Sequence, residues 1–251
     1  MGHALDRAQA HNKSKIYHVL AQEFGRLFPL FLLVSPRFLL KYLSLLSLWE
    51  ALMSIDYYNQ NARNFFDGTV TVDMVPLYQR FLPLLPPHAH ILDAGCGSGR
   101  DSRYFLDQGF CVTAMDASQE LAQLAQSLLQ QAVTVCRFDE FQASKPLDAI
   151  WACASLLHVP LAELPAVMAH LTAQLTARGI FYCSFKYGSG QVSRDGRTFT
   201  NLDEAGLDAL LHSLPLQTVP LRIIDIWQTG DLRPGRESER WLNIVLQKES
   251  R

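Results

Sequence analysis

The sequence predicts an α/β fold, in which helices cover both faces of a mostly parallel β-sheet. After Met53, segments with helical periodicity alternate with short apolar segments, which is the pattern of a parallel sheet with helical crossovers. A glycine-rich turn between Ala94 and Arg100 joins an apolar segment directly to a helical one. Neither an internal repeat nor a low-complexity linker interrupts this alternation, so residues 53–251 are expected to form one domain.

The first half of this domain is predicted from caps, glycines and apolar runs. Gly109 ends the helix that follows the glycine turn, and Ser118 can cap the next helix. Asp116 lies at the carboxyl end of the second strand. In chain order, the predicted elements are helices over Ile55–Phe66 and Met74–Leu82, a strand over His90–Ala94, a helix over Arg100–Asp107, a strand over Phe110–Met115, a helix over Gln119–Gln130 and a strand over Val133–Phe138.

The second half ends in two strands whose connection is too short for a crossover helix. These strands, Leu221–Gln228 and Trp241–Lys248, should therefore pair antiparallel as a hairpin at one edge of the sheet. The expected architecture is a Rossmann-like, doubly wound, three-layer α/β/α fold of seven strands with an antiparallel last strand. The remaining predicted elements are a strand over Ala149–Ala154, a helix from Pro160 to about Thr176, a strand over Gly179–Phe185 and a helix over Leu202–Leu214 capped by Asn201.

Three glycines alternate in the turn after the first strand, at Gly95, Gly97 and Gly99. Glycine tolerates positive φ and lets a ligand approach the backbone, and the helix that follows directs its free N–H groups at the same spot. Asp116, at the end of the neighbouring strand, can accept hydrogen bonds from both hydroxyls of a ribose. A nicotinamide or flavin site would need a small residue where Arg100 stands, so those cofactors are disfavoured. The alternative is a glycine turn that binds nothing.

The Gly-x-Gly-x-Gly run, preceded by Asp93, resembles motif I of the class I S-adenosylmethionine (SAM) methyltransferases, and the resemblance extends from about Ile55 to Lys248. It implies SAM as the cofactor and methyl transfer to a small soluble acceptor. The compact form of the domain is similar to tellurite-resistance-type and other small-molecule methyltransferases. Two alternatives are an RNA methyltransferase, which the acidic domain disfavours, and a SAM-binding protein without transfer activity.

The resemblance also implies a set of cofactor-binding residues. The glycine turn would lie against the amino-acid end of SAM, with Asp93 near its amino group and Asp116 at its ribose. Arg137 and Phe138 stand where many members have an acidic and a small residue, so the adenine contact departs from the family pattern. Phe138 could stack on the base, and Asp139 could accept from its amine. The full set is Tyr58, Arg63, Asp93, Ala94, Gly95, Cys96, Gly97, Gly99, Asp116, Ala117, Phe138, Asp139 and Ala154.

Each of these assignments has a structural alternative. Asp93 could tie the turn together by accepting backbone N–H groups, Asp116 could cap a helix, and Phe138 could be a core side chain. Tyr58 and Arg63 would belong to a segment that folds over SAM as a lid, with Arg63 paired to the SAM carboxylate. The alternative for that segment is an ordinary amphipathic surface helix.

His158 follows the fourth strand in a stretch, Trp151 to Val159, that resembles the family's motif IV region beside the reactive methyl group. The ordinary pKa of histidine suits proton transfer near neutral pH, so His158 is the candidate catalytic residue. A base is needed only if the acceptor carries a proton at the working pH. The alternative is a hydrogen-bonded structural histidine, and Ser155 could simply cap the next helix.

Two polar stretches follow the carboxyl ends of late strands and carry several cations. Their side chains could converge on an anionic group of the substrate, or could form solvated turns with local Asp–Arg pairs. The candidate substrate-binding residues are Lys186, Tyr187, Arg194, Arg197, Arg233 and Arg236.

Charge and composition disfavour several classes of partner. The net charge of −2 gives no bulk attraction to DNA, RNA or an anionic membrane, which is compatible with the small-molecule partner that the resemblance implies. The five cysteines have no Cys-x-x-Cys spacing, which argues against a zinc site. They are expected to be small core residues in a reducing, cytoplasmic compartment.

The first 52 residues differ from the rest, with six Lys or Arg and three acidic residues. Their longest uncharged run, Leu27 to Pro36, has ten residues and two prolines, whereas a membrane-spanning helix needs about 20. The segment could be a helical cap, a membrane-surface or partner-binding helix within residues 28–52, or sequence upstream of a start at Met53. We favour the last, because the domain pattern begins immediately after Met53.

Overall fold

A computed structural model describes residues 52–233, 235–236 and 238–250 of the chain. Within these ranges, seven strands form one sheet in the order β3-β2-β1-β4-β5-β9-β8, and β6 pairs with β7 in a separate hairpin. The predicted extension over residues 1–52 lies, except for Leu52, outside the described residues. The strands are β1 (His90–Ala94), β2 (Cys111–Asp116), β3 (Val133–Val135), β4 (Leu147–Ala152), β5 (Leu175–Lys186), β6 (Gln191–Arg194), β7 (Arg197–Thr200), β8 (Leu221–Gly230) and β9 (Arg240–Lys248).

The helices of the described ranges begin with α1, residues 52–60. A turn at Asn61 separates α1 from α2, which divides the single helix predicted over Ile55–Phe66. None of the helices in this part of the chain is long and apolar enough to cross a membrane. The others are α2 (Ala62–Thr69), α3 (Val75–Phe81), α4 (Arg100–Asp107), α5 (Gln119–Leu129), α6 (Leu164–Ala173) and α7 (Glu204–His212), with short 3₁₀ helices over Leu82–Leu84 and Leu156–His158.

The sheet buries apolar side chains on both of its faces. Because successive side chains of a strand point to opposite faces, Leu92 of β1 packs in a cluster with residues of α6 and α7, while Ile91 packs in another with residues of α3 and α4. A fully buried aliphatic side chain contributes about 1.5–3 kcal/mol to folding. The predicted three-layer arrangement is therefore confirmed.

The last strand is the reversed one, as predicted. β1 pairs parallel with β2 and β4, and β4 pairs parallel with β5, whereas β9 pairs antiparallel with both β5 and β8. The predicted hairpin is thus β8–β9, with β8 at the edge of the sheet and β9 inserted beside β5. The parallel strands end at the same edge, where the glycine turn lies.

Two predicted element boundaries near the middle of the chain were wrong. The third strand ends at Val135 rather than Phe138, because the chain leaves the sheet there and turns. The helix predicted from Pro160 begins at Leu164 instead, and Pro165 lies in its first turn, where proline costs no helical hydrogen bond.

The cap predicted for the last helix was also wrong. Asn201 was expected to cap it, but α7 begins at Glu204. Its cap is Asp203, whose Oδ1 accepts a hydrogen bond from the N–H of Gly206 over 2.7 Å. The helix therefore starts two residues later than predicted.

The β6–β7 hairpin was not predicted. Its turn consists of Asp195 and Gly196, with φ of +54° and +74°. Two successive positive φ angles define the tight hairpin turn that Asp-Gly favours. The hairpin brings Arg194 and Arg197 to the same end of the sheet as the glycine turn.

The five cysteines are all free thiols. Cys96 and Cys183 are buried and Cys136 and Cys153 are partly buried, in line with the expected core positions, but Cys111 is exposed. The expectation was wrong for Cys111, because it opens β2 at the amino-terminal end of the sheet.

Candidate functional site

The glycine turn has a backbone that larger residues could not adopt without strain. Gly95, Gly97 and Gly99 have φ of +78°, +54° and +79°. A Cβ atom on Gly95 would lie 2.6 Å from Cβ of Ser155, so one of the two would have to move. The N–H groups of residues 95 and 96 both lie 2.9 Å from the carbonyl oxygen of Met115, which holds the turn against β2. The turn is therefore fixed between the ends of β2 and β4.

Asp93 lies beneath this turn and is only 2% exposed. Its Oδ2 accepts hydrogen bonds from the N–H of Ser102 over 3.1 Å and from the Ser102 hydroxyl over 2.6 Å, which ties β1 to α4. Burial and the negative charge of Asp101 raise the pKa of Asp93. Asp93 is not among the described residues that line the two cavities below, and its geometry is that of the structural alternative.

The carboxyl ends of β1, β2 and β4 open onto a first cavity of about 840 Å³ of empty space, its mouth included. The cavity gathers most of the residues predicted to bind the cofactor. Those that line it are Tyr58, Gly95, Gly97, Asp116, Ala117, Phe138, Asp139 and Ala154.

The carboxylate of Asp116 is held in place by backbone N–H groups. Its Oδ2 accepts from Gly97 and its Oδ1 from Ser118, both over 2.8 Å. Burial raises the pKa of Asp116, while these two hydrogen bonds lower it. Each oxygen keeps a further lone pair, so the carboxylate can accept two hydroxyl groups of a ligand. The cap of α5 is Ser118, whose hydroxyl accepts from the N–H of Leu121, as predicted.

An aromatic ring and a carboxylate, those of Phe138 and Asp139, also line the first cavity. Cζ of Phe138 lies 3.4 Å from the position of a Cβ on Gly95, so the ring covers the turn. The carboxylate of Asp139 accepts two hydrogen bonds from the Arg137 guanidinium, over 3.0 and 2.8 Å. The ring offers a face for stacking, while Arg137 takes up part of the acceptor capacity of Asp139.

A second cavity, with about 1040 Å³ of empty space including its mouth, adjoins the first. Its cationic wall contains five of the six residues predicted to bind the substrate: Lys186, Arg194, Arg197, Arg233 and Arg236. Cys96 lines it as well. Among their described lining residues, the two cavities share Tyr58, Phe65, Gly95, Gly97, Ala154 and His158.

Tyr58 and His158 meet at this shared wall. Oη of Tyr58 lies 2.8 Å from Nε2 of His158, and Nδ1 of His158 lies 3.1 Å from the carbonyl oxygen of Thr198. A carbonyl oxygen only accepts, so Nδ1 carries the proton and Nε2 accepts from the Tyr58 hydroxyl. Burial lowers the pKa of His158 to about 4, with the charges of Arg197 and Lys186 acting in the same direction. The imidazole is therefore neutral near pH 7.

Two of the predicted ligand-binding side chains point elsewhere. The exposed guanidinium of Arg63 pairs with Asp67 one turn along α2, at 2.9 Å. The hydroxyl of Tyr187 donates to Oε2 of Glu204 over 3.0 Å. Neither Arg63 nor Tyr187 is among the described residues that line the two cavities, because each is held by an acid on the protein surface.

Two further residues of the glycine-turn region serve the fold. The carbonyl oxygen of Ala94 accepts from the Ser155 hydroxyl over 2.6 Å, so Ser155 ties β4 to β1 and does not cap a helix. A Cβ on Gly99 would lie 3.1 Å from Cβ of Ala125, so the absent side chain of Gly99 allows α4 and α5 to approach. Ala94 and Gly99 are not among the described residues that line the two cavities.

The sequence analysis missed Asn59 and Phe65. Oδ1 of Asn59 accepts from the Ser118 hydroxyl over 2.8 Å, which ties α1 to the start of α5. Phe65 lines both cavities and lies 3.1 Å from the position of a Cβ on Gly97. The signal that could have found Phe65 is its seven-residue spacing from Tyr58, about two helical turns, which places both rings on one face.

Comparison with known proteins gives a family match for the region that contains the glycine turn. Residues 91–179 match the family model described as a methyltransferase domain. A curated relative, the malonyl-[acyl-carrier protein] O-methyltransferase of Pectobacterium atrosepticum, is 49% identical over 45 residues, which are 17% of this chain and 18% of the relative. The chain therefore matches less than a fifth of the length of that relative.

Two solved structures share the fold. The Burkholderia thailandensis 1,6-didemethyltoxoflavin-N1-methyltransferase, with bound 1,6-didemethyltoxoflavin and S-adenosylhomocysteine (SAH), aligns with a TM-score of 0.62 and 23% identity over 87% of this chain and 92% of that one. The magnesium protoporphyrin IX methyltransferase of Synechocystis PCC 6803, with bound SAH, aligns with a TM-score of 0.58 and 17% identity over 77% of this chain and 97% of that one. At these identities the likeness establishes the fold.

Proposed function

We propose that this chain is a class I SAM-dependent methyltransferase and that it transfers the methyl group of SAM to a small-molecule acceptor held in the second cavity. The observation that carries this proposal is the pair of adjoining cavities. One is lined by the glycine turn and Asp116, the other by a cationic wall, and Tyr58 and His158 belong to both. Two ligands bound in these cavities would meet at the shared wall.

The residues of the first cavity fit SAM. Asp116 has lone pairs free for the two hydroxyls of a ribose, and Phe138 offers a stacking face. When bound, SAM supplies an electrophilic methyl group on a positively charged sulfur, so the cofactor carries the reactive group. The protein has to bind it, orient it and exclude water.

The second contribution of the protein is to hold the acceptor in line with that methyl group. Positioning two reactants in this way can lower a barrier by roughly 7–11 kcal/mol. Tyr58 lies at the junction, and its hydroxyl is fixed by His158. We therefore assign His158 the role of a positioning residue for Tyr58. Its low pKa disfavours the imidazolium that a general base would become.

The acceptor does not carry over from the relatives, because their names give different ones: a malonyl group on acyl-carrier protein, a didemethyltoxoflavin nitrogen and a magnesium porphyrin. A small soluble acceptor, and with it the cytoplasm as the compartment, belongs to this proposal. Two other results would replace this proposal. In one the acceptor is RNA, and in the other the protein binds SAM but transfers no methyl group.

The test is transfer of label from methyl-tritiated SAM to separated fractions of a cell extract. We expect label in a low-mass fraction, lost in Asp116→Asn and retained in Asp208→Asn, a matched change at an exposed carboxylate of α7. Label found only in RNA would mean that the acceptor is RNA and not a small molecule. A protein that binds SAH but labels no fraction would have no transfer activity.

A further inference from the structure

The second cavity has more cations than the acids around it can neutralise. The cations among its described lining residues are Arg100, Lys186, Arg194, Arg197, Arg233 and Arg236. The acids that pair with them are Asp101, Asp195, Asp231 and Glu239. Six cations against four acids leave an excess of two positive charges in this part of the described structure.

Half of these six cations are held by close ion pairs. Arg100 pairs with Asp101 at 2.6 Å, and the guanidinium of Arg233 donates to both oxygens of Asp231, over 2.9 and 2.5 Å. Lys186 lies 2.7 Å from Glu239. The Arg233–Asp231 pair is a local Asp–Arg contact of the kind that the alternative predicted, and the three pairs together account for three of the positive charges without a ligand.

Arg197 is different from the rest. Its side chain is 11% exposed, and the carboxylate next to it, Asp195, lies 3.8 Å away and is 61% exposed, a pairing that water largely screens. Its Nε is buried and has no hydrogen-bond partner among the described residues. A buried N–H donor without an acceptor is costly, so such a group is normally satisfied by protein, water or ligand.

Aromatic residues surround the Arg197 guanidinium, and the Tyr58 hydroxyl accepts a hydrogen bond from it. Its central carbon lies 3.9 Å from the ring centre of Tyr57, 5.1 Å from that of Phe199 and 5.8 Å from that of Tyr58. Stacking of this kind orients a guanidinium and leaves those in-plane donors that no other group takes available to an oxyanion. The charge of Arg197 also contributes to the low pKa of His158, which belongs to the shared wall.

We propose that the second cavity takes an acceptor that carries an oxyanion, a carboxylate or a phosphate, and that Arg197 is its anchor. This inference rests on the proposed function, since it names the class of molecule that enters the acceptor cavity. Arg197 stacks on Tyr57 and lies beside Tyr58, which belongs to the shared wall, so an anion held by Arg197 brings the acceptor toward the first cavity. Arg194 and Arg236, which also line the cavity, add attraction at its rim.

The test is calorimetric titration of the full chain with succinate and with inorganic phosphate, each against sodium chloride at equal ionic strength, with and without SAH. The variants are Arg197→Gln and Arg197→Lys. The matched control is Arg222→Gln, an exposed arginine of β8 that contacts Gln247. We expect the wild type and the control to bind one oxyanion per chain, Arg197→Gln to bind it at least about tenfold more weakly, and SAH affinity to stay unchanged in all of them.

Arg197→Lys keeps the charge but loses the planar fork, so we expect it to bind more weakly than wild type as well. This variant decides the question if Arg197→Gln does not fold. Binding of succinate alone would identify a carboxylate, and binding of phosphate alone a phosphate. Wild type that binds neither more than chloride, or variants that bind them as well as wild type, would overturn this inference while SAH binding leaves the proposed function standing.

Discussion

The hydroxyl of Tyr58 donates to Nε2 of His158 over 2.8 Å, across 100 residues of sequence. This bond joins α1 to the segment after β4, at the wall that the two cavities share. It also fixes the tautomer of His158, because Nδ1 then donates to the carbonyl oxygen of Thr198. The bond is therefore both part of the fold and part of the candidate site.

We expect Tyr58→Phe to lower the free energy of unfolding by about 1–3 kcal/mol, because Nε2 of His158 would be left without a donor. The measurement is urea unfolding. The control is Tyr187→Phe, which removes a hydroxyl that bonds Glu204 at the surface and should cost less than about 0.5 kcal/mol. Equal losses in the two variants would mean that the bond to His158 contributes nothing beyond a surface contact.

The free energy of unfolding should decrease as the pH is lowered, because of His158. The unfolded residue takes up a proton near its ordinary pKa of 6.5, whereas the folded one does so only at about 4. Between these values the unfolded state binds more protons, so the contribution is complete above pH 6.5 and is lost as pH falls toward 4. Its full size is on the order of 3 kcal/mol.

The measurement is the difference in unfolding free energy between wild type and His158→Gln at about pH 7.5 and about pH 5. We expect that difference to shrink at the lower pH. The variant His212→Gln, at a histidine that is 77% exposed, should show no such change. A difference that is the same at both pH values would contradict the buried neutral imidazole.

The glycine turn predicts a difference between two substitutions at similar φ. Gly95 and Gly190 have φ of +78° and +74°, but a Cβ on Gly95 would lie 2.6 Å from Ser155, whereas nothing lies within 4 Å of one on Gly190. Gly190→Ala should cost only the backbone strain, about 1–2 kcal/mol. Gly95→Ala should cost about 1–3 kcal/mol more from the clash. The measurement is the melting temperature of each variant. Equal melting temperatures of Gly95→Ala and Gly190→Ala would show that the turn can relax around a methyl group.

Asp93→Ala separates a structural from a cofactor-binding role. Because Oδ2 of Asp93 accepts hydrogen bonds from the N–H and the hydroxyl of Ser102 beneath the turn, removing the carboxylate leaves both donors unpaired and should lower the free energy of unfolding by about 1–3 kcal/mol. The affinity of the folded protein for SAH should change by less than about threefold. A tenfold loss of SAH affinity without a loss of stability would instead support the contact with SAM that the sequence suggested.

The parts of the fold that could be predicted from the sequence are those with strong local signals. The strand–turn–helix unit from His90 to Asp107 has an apolar strand, alternating glycines and a helix in direct succession. The short connection before Trp241 fixes the β8–β9 hairpin as antiparallel. The β6–β7 hairpin was missed although Asp195 and Gly196 form a favoured turn, because β6 is exposed and both strands are short and mostly polar.

The part of the candidate site that could be predicted is the part whose location follows from where the strands end. The cations after β5 and β8 do line one cavity, because the carboxyl ends of those strands meet. The fate of individual side chains was not predictable: Arg63 pairs with Asp67 one turn away, and Tyr187 bonds Glu204. Such choices depend on which acid lies within reach in the folded chain, which spacing alone does not determine.

Calorimetric titration of the folded chain with SAH tests the central claim most directly. We predict one binding site per chain, weakened at least about tenfold in Asp116→Asn, because the ribose hydroxyls would lose a charged acceptor, and unchanged in Asp208→Asn. No heat with either SAH or SAM on well-folded protein would contradict the assignment of the first cavity, and with it the account of both cavities.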